Sequence, residues 1–249
     1  MTGRRGGVQD GRARASGPES GGHAAIIREM APRLVPDYPS PPEVPEPNPV
    51  ASRRAWGKIP YEERFRRQRR DLLDAAAALA AELGVAGTSV ASITSAAGLA
   101  KRVFYEHFTD KEACFVVLFR EFGAEYLRSA LDTAEAASGR SAFETVRSVI
   151  RALVSYQGAD PRLIAAIRAE ARPGSRLAAA YDEQHRQVAD LMVVVALRLG
   201  SALPEPTLRL AALLLVNGVV DLGDELRERR DALRELTVIV CLAFGLPAQ

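Results

Sequence analysis

From Phe65 to the end of the chain, apolar residues return every three or four positions and never alternate over a useful length. That period belongs to α-helices with one face turned to a core. Phe65, Leu72, Ala76, Leu79 and Leu83 form the first inner stripe, opening at Pro60 with Glu62 and Glu63 behind it and stopping at Gly84. Proline suits a first helical turn, and acidic residues suit its positive end. Val90, Ile93 and Ala97 mark a shorter helix, capped by Thr88 or Ser89. Phe104 and Phe108 are four apart and anchor another. Thr109-x-x-Glu112 has the spacing of a capping box and opens a long helix through Phe115, Phe119, Phe122 and Tyr126 to about Ala137.

Ser138-Gly139 ends that helix, and Phe143, Val146, Ile150 and Leu153 define the next, to near Gly158. Asp160-Pro161 opens a short helix through Ala171, and Pro173-Gly174-Ser175 punctuates. A long helix from Leu177 to Leu199 follows, then one from about Thr207 to Glu228, and a last one capped by Asp231 and ending at Phe244-Gly245. The pattern predicts an all-α protein of about nine helices. The stretch before them is different in kind. Residues 1–55 are Gly- and Arg-rich, then Pro-rich, and read as a disordered extension with at most a short helix at Ala24–Met30. A second reading makes Arg53, Arg54 and Lys58 a basic arm that reaches DNA. The expected divisions are 1–55, 56–108 and 109–249.

Within the middle division, Ala97 to Glu112 carries the most distinctive chemistry. Gly98 supplies the positive φ of a tight turn between two short helices. Such a pair, its second member anchored by aromatics, is a helix-turn-helix, and an ordinary αα-hairpin is the plainer alternative. Lys101, Arg102, Val103, Tyr105 and His107 are expected to face away from Phe104 and Phe108, where cations, a phenol and an imidazole suit phosphates and base edges. Arg102 suits guanine and Val103 a thymine methyl, while Tyr105, His107 and Lys111 are expected to hold phosphates, joined by Thr88 and Ser89. Arg64, Arg66, Arg67, Arg69 and Arg70 read as a phosphate footprint or simply a solvated face.

The spaced residues Thr88-x-Val90-x-x-Ile93-x-x-x-Ala97-Gly98-Leu99-x-Lys101-x-x-Phe104-Tyr105-x-His107-Phe108-x-x-Lys111-Glu112 resemble the DNA-binding signature of the tetracycline-repressor (TetR) family. The resemblance covers roughly residues 61–115. It departs at Ala100, where the family usually has Ser or Thr, at Arg102, where a small Gly or Pro is usual, and at Val103, where Thr or Ala is usual. Ala100 cannot cap the second short helix, at a cost of about 1 kcal/mol. The resemblance implies a repressor that reads an inverted-repeat operator on double-stranded DNA as a homodimer and is released by a small, largely apolar effector. A family member without a small-molecule effector, acting as activator or under protein control, is the alternative.

Composition trims these options. The 249 residues are 47% hydrophobic, enough for two modest helical domains or one large one. A net charge of +2 leaves any nucleic-acid binding to a local basic surface. Cys114 and Cys241 sit in apolar runs as small hydrophobes, and His23, His107 and His185 are scattered, so no metal or cofactor is expected. No nucleophile elbow, phosphate loop or zinc-protease motif occurs, which leaves a helical enzyme as the remote alternative. The residues after Met1 lack an apolar leader, and the longest apolar runs are short for a bilayer, so a cytoplasmic protein without a membrane partner is expected.

Two further expectations concern the last division. The last two helices are apolar on more than one face: Leu210, Leu213, Leu214 and Val216 on one, Leu236, Ile239, Leu242 and Phe244 on the other. A four-helix bundle between two copies covers such faces, and burial within one monomer is the alternative. Phe119, Phe122, Tyr126, Tyr156, Arg168, Tyr181, His185 and Asn217 are candidates to line an effector pocket among the helices. Asn217-Gly218 reads either as an amide offered to that pocket or as a packing glycine beside a satisfied asparagine.

Overall fold

A computed structural model describes residues 60–157, 161–221, 229 and 231–249. The N-terminal extension with its basic arm, and the end of the helix expected to reach Glu228, lie outside the described residues. Among those described there are nine helices and no strand. They are α1 (Tyr61–Gly87), α2 (Val90–Ala96), α3 (Lys101–His107), α4 (Lys111–Ala136), α5 (Ala142–Gln157), α6 (Pro161–Glu170), α7 (Arg176–Arg198), α8 (Glu205–Asp221) and α9 (Ala232–Ala243).

Local chemistry explains most ends. Gly84 breaks α1 with φ 74° and ψ 162°, and one further turn carries Val85 into the core. That kink corrects the expected inner stripe: Leu83 is exposed, because Val85 takes the core position beyond the break. Ser89, not Thr88, caps α2, in a reciprocal capping box with Ser92. Gly98 turns the chain at φ 64°, and Ala100 holds the N-cap position of α3 with no side-chain cap, as its methyl requires.

The expected box at Thr109 and Glu112 is displaced. The Asp110 carboxylate accepts the Ala113 N–H at 2.9 Å and is the true N-cap of α4. Thr109 stands one residue too early, and its hydroxyl donates to Asp110 instead. Ser175 caps α7 through the Ala178 N–H. Asp231 holds the N-cap position of α9 without a side-chain hydrogen bond, and α8 starts two residues earlier than expected, at Glu205.

Two apolar cores share α4 and α7. In the first, Leu72, Ala76, Ile93, Phe104 and Phe115 pack with Leu163 and Ile167 of α6 and Leu177 of α7. In the second, Leu127, Ala130 and Leu131 of α4 meet Val149 and Ile150 of α5, Leu191 to Val195 of α7, Leu208 and Ala212 of α8 and Val240 of α9. A buried aliphatic side chain contributes about 1.5–3 kcal/mol, so these clusters carry the fold. Both cysteines lie inside them, and burial pushes the Cys114 thiol up to about 12. Leu210 and Leu214 of α8, and Ile239 and Leu242 of α9, stay exposed.

Candidate nucleic-acid interface

Helix α3 is seven residues long, so its side chains sort by angle alone. Phe104 and His107 point inward, three positions apart. At roughly 100° per residue, the opposite meridian falls within about 10° of Arg102, with Tyr105 and Glu106 about 50° to either side. Lys101, Arg102, Tyr105 and Glu106 are exposed accordingly, and Val103 is half-buried on the flank. The Arg102 Nε donates to the Glu106 carboxylate at 3.2 Å. Phe104 is fully buried, with its ring centroid 5.4 Å from that of Phe108. A basic, phenolic face is thereby held on a helix whose back is locked into the core.

Three expected DNA contacts stand elsewhere. His107 is buried with its ring 4.0 Å from that of Phe65, because a residue three after Phe104 shares its inward face. Neither ring nitrogen has a hydrogen-bond partner, and burial, aided by the Arg69 charge, lowers the imidazole pKa to about 4. It is a neutral core group, not a phosphate ligand. Thr88 is buried, and its hydroxyl donates to the Gly84 carbonyl at 2.8 Å, stitching the kink of α1. Lys111 turns away from solvent and donates to the carbonyls of Val85 and Thr88, each at 2.9 Å. A cation in the first turn of α4 opposes that helix's dipole, while at the C-terminal end of α1 it is favoured. Ser89 remains exposed beside these groups.

The arginines of α1 divide. Arg69 pairs with Glu121 of α4, Arg66 with Glu62, and Arg64 lies over the Tyr61 ring at 5.2 Å. Arg67 and Arg70 are exposed.

The base of α3 is tied to the helical body by Arg176 and Asp110, which the sequence did not single out, and by Glu112, which it offered only as part of a capping box. Arg176, first in α7, reaches Asp110 at 2.6 Å and Glu112 at 3.0 Å, across more than sixty residues of chain. Glu112 also accepts the Arg176 backbone N–H at 2.8 Å, so its carboxylate sits on the N-terminus of α7. The Ala113 N–H, with Arg176, holds the Asp110 carboxyl below its usual range. Partial burial works against Glu112, but the hydrogen bonds from Arg176 and Leu177 outweigh it, and that carboxyl too is held low. No local pattern signals this clasp. The Arg102–Glu106 pair did have one, since oppositely charged residues four apart share a helix face.

The candidate pocket residues lie on several helices. Phe119 stacks on Tyr181 at 5.7 Å across the α4–α7 contact, and Tyr181 meets His185, four residues on along α7, at 4.4 Å. Tyr126 is buried and Phe122 half-buried further along α4. Arg168 is exposed on α6. Asn217 is also exposed and donates to the Leu213 carbonyl of its own helix at 2.7 Å, which makes it the satisfied asparagine and not a pocket amide. The Tyr156 side chain lies outside the described residues. An open groove of about 460 Å³ on α4, lined by residues such as Glu125, Arg128 and Asp132, includes none of them.

A short helix with cations outward and aromatics inward, set by a tight turn against a second helix, defines a helix-turn-helix DNA-binding regulator. Residues 72–118 match the family described as bacterial regulatory proteins, tetR family. No curated protein matches it in sequence. The fold is similar to FadR of Bacillus subtilis, a transcriptional regulator solved with stearoyl-CoA, at a TM-score of 0.55 and 20% identity over 71% of this chain and 97% of that one. It is similar to FadR of Bacillus halodurans, a fatty acid degradation regulator, at 0.56 and 18% over 71% and 94%. It is similar to SmeT, repressor of the Stenotrophomonas maltophilia multidrug efflux pump SmeDEF, at 0.53 and 21% over 71% and 89%. No helix among the described residues is long and apolar enough to cross a membrane.

Proposed function

We propose that the chain is a homodimeric repressor that reads an inverted repeat through α3 and leaves it when a small, largely apolar effector binds the helical body. The carrying observation is the outward meridian of α3, where Arg102 stands between Tyr105 and Glu106 with Lys101 beside them. Arg102 reads a guanine in the major groove, and Lys101, Tyr105 and Ser89 position the helix on phosphates. The exposed Arg67 and Arg70 add cations. Selection from a random duplex library is expected to return two half-sites about one helical turn apart or somewhat more. A protein that enriches no sequence refutes the reading.

The dimer is supported by Leu210 and Leu214 of α8 and Ile239 and Leu242 of α9, which are 53–67% exposed. Four large aliphatic groups on neighbouring helices match a second copy of themselves. Leu214→Glu with Leu242→Glu is expected to turn a dimeric mass in light scattering into a monomeric one and to abolish operator binding. A wild-type monomer at micromolar concentration refutes the dimer.

The effector reading is supported by the Phe119, Tyr181 and His185 rings between α4 and α7, and by the likeness to a regulator that binds stearoyl-CoA. Operator binding in the presence of apolar compounds tests it, and a compound that binds the protein must bind less tightly once operator is present. One observation favours the alternative without a small effector. A Cβ at Gly123 of α4 would stand 3.0 Å from the Gln184 side chain of α7, so the helices are already closed there. Operator affinity that no bound compound alters would support that alternative.

A further inference from the structure

The outward face of α3 holds one group that does not suit a helix lying among phosphates. Glu106 is 39% exposed and about as close to the outward meridian as Tyr105. A carboxylate there faces the negative potential of the duplex and weakens every non-specific complex. Yet it is paired, and the way it is paired matters. The Arg102 side chain is 74% exposed, and it meets Glu106 through Nε. A guanidinium has five donors in a planar fork, and it grips a two-acceptor partner either by its Nε side or by its Nη1 and Nη2 end. With Nε taken by Glu106 and the side chain 74% exposed, the Nη1–Nη2 pair remains for another partner. Guanine offers O6 and N7 as adjacent acceptors in the major groove, the match for that end.

Resting on the reading of α3 as the groove helix, we infer that Glu106 is a specificity-determining positioning residue. It fixes Arg102 so that the guanidinium engages guanine end-on, and it suppresses binding to other sequences. Without it, Arg102 sweeps a long flexible arc and finds phosphates as readily as bases. The carboxylate therefore exchanges affinity in general for discrimination at one base pair. Glu106 touches the base pair only through Arg102, so its effect vanishes when Arg102 is absent.

The test uses the full chain and the operator selected by the wild-type protein. Shift assays compare that operator with its variants at the guanine read by Arg102 and with unrelated duplex, across a range of salt. Glu106→Ala is expected to raise affinity for unrelated duplex severalfold and to reduce discrimination at the guanine by about fivefold or more, a part of the roughly 5–150-fold that a good bidentate contact supplies. Glu106→Gln keeps an acceptor for Nε without the charge. It is expected to restore much of the discrimination while still binding unrelated duplex more tightly than wild type. In an Arg102→Ala background, Glu106→Ala is expected to change discrimination no further. Circular dichroism checks that the variants keep the wild-type melting temperature, as an exposed pair four residues apart permits.

Equal discrimination by wild type and Glu106→Ala overturns the inference while leaving α3 as the reading helix. A further loss at the same base pair in the Arg102→Ala background also overturns it, since Glu106 would then read a base itself. A wild-type protein that selects no operator removes the inference together with the reading beneath it.

Discussion

Lys111 gives the sharpest test of where the DNA-binding surface ends. Its ammonium donates to two carbonyls at the end of α1, Val85 and Thr88, at 2.9 Å each. A charge-assisted bond of this kind contributes about 1.5–3 kcal/mol when buried. Lys111 is half-buried, so about 1 kcal/mol for each bond is the fitting figure. Val85 keeps a second partner, the Thr88 N–H at 3.3 Å, which limits the loss. Lys111→Met preserves the aliphatic stem and removes the charge, for a total near 2 kcal/mol. In a chain of this size each kcal/mol moves the melting temperature by roughly 2–4 °C, so the drop is expected to be about 4–8 °C.

A phosphate ligand behaves otherwise. Its loss leaves stability alone and lowers the slope of log affinity against log salt by about one per contact. Thermal unfolding and salt-dependent shift assays on the same variant separate the two roles. Lowered stability with an unchanged slope makes Lys111 a pin between α1 and α4. Unchanged stability with a slope smaller by about one refutes the argument and returns Lys111 to the phosphates.

Two other perturbations follow from the same geometry. Between pH 6.5 and about 4 the unfolded chain takes up a proton that folded His107 refuses, so stability falls as pH falls through that window. At pH 5 the unscreened loss is about 2 kcal/mol and the solvent-screened loss about 1 kcal/mol, and His107→Phe is expected to remove this part of the acid sensitivity in thermal melts; an unchanged pH profile refutes the assignment. Arg176→Gln is expected to leave operator affinity near wild type in the absence of effector while weakening the response to an effector that binds the body. A variant whose response equals that of wild type shows that the clasp carries no coupling.

Much of the fold was legible because periodicity and punctuation are local. The helices from α4 to α7 end within a residue or two of the predicted positions, and Gly84 and Gly98 take the positive φ that their breaks require. The errors share a cause. Thr109 and Asp110 are both competent caps, and only the chain's geometry gives the role to Asp110. Leu83 fits the α1 stripe by spacing, but the kink at Gly84 delivers Val85 to the core instead. His107 is a polar residue by type, but its position three after Phe104 puts it on the inward face, and spacing outweighs residue type there. Lys111 and Arg176 find partners 23 to 66 residues away, which no window of sequence reveals.

Those long-range partners make α4 the link between the two cores. Its first half, with Cys114, Phe115 and Phe119, belongs to the core that holds α3, and its second half, from Tyr126 to Ala134, belongs to the core with α8 and α9. At its N-terminal end, Asp110 follows α3 by three residues and is gripped by Arg176 at the head of α7. At its middle, Phe119 stacks on Tyr181 and Gly123 admits Gln184, both from α7. Helices α4 and α7 are thus joined at the clasp and again at the stack. An effector that parts them at Phe119 and Tyr181 either loosens the clasp or carries α4 with α7, and the second course moves Lys111, the pin on α1, with it. The base of α3 then shifts against α1. In the proposed dimer, where two such helices would meet one duplex in fixed register, that displacement would favour the free arrangement over the bound one.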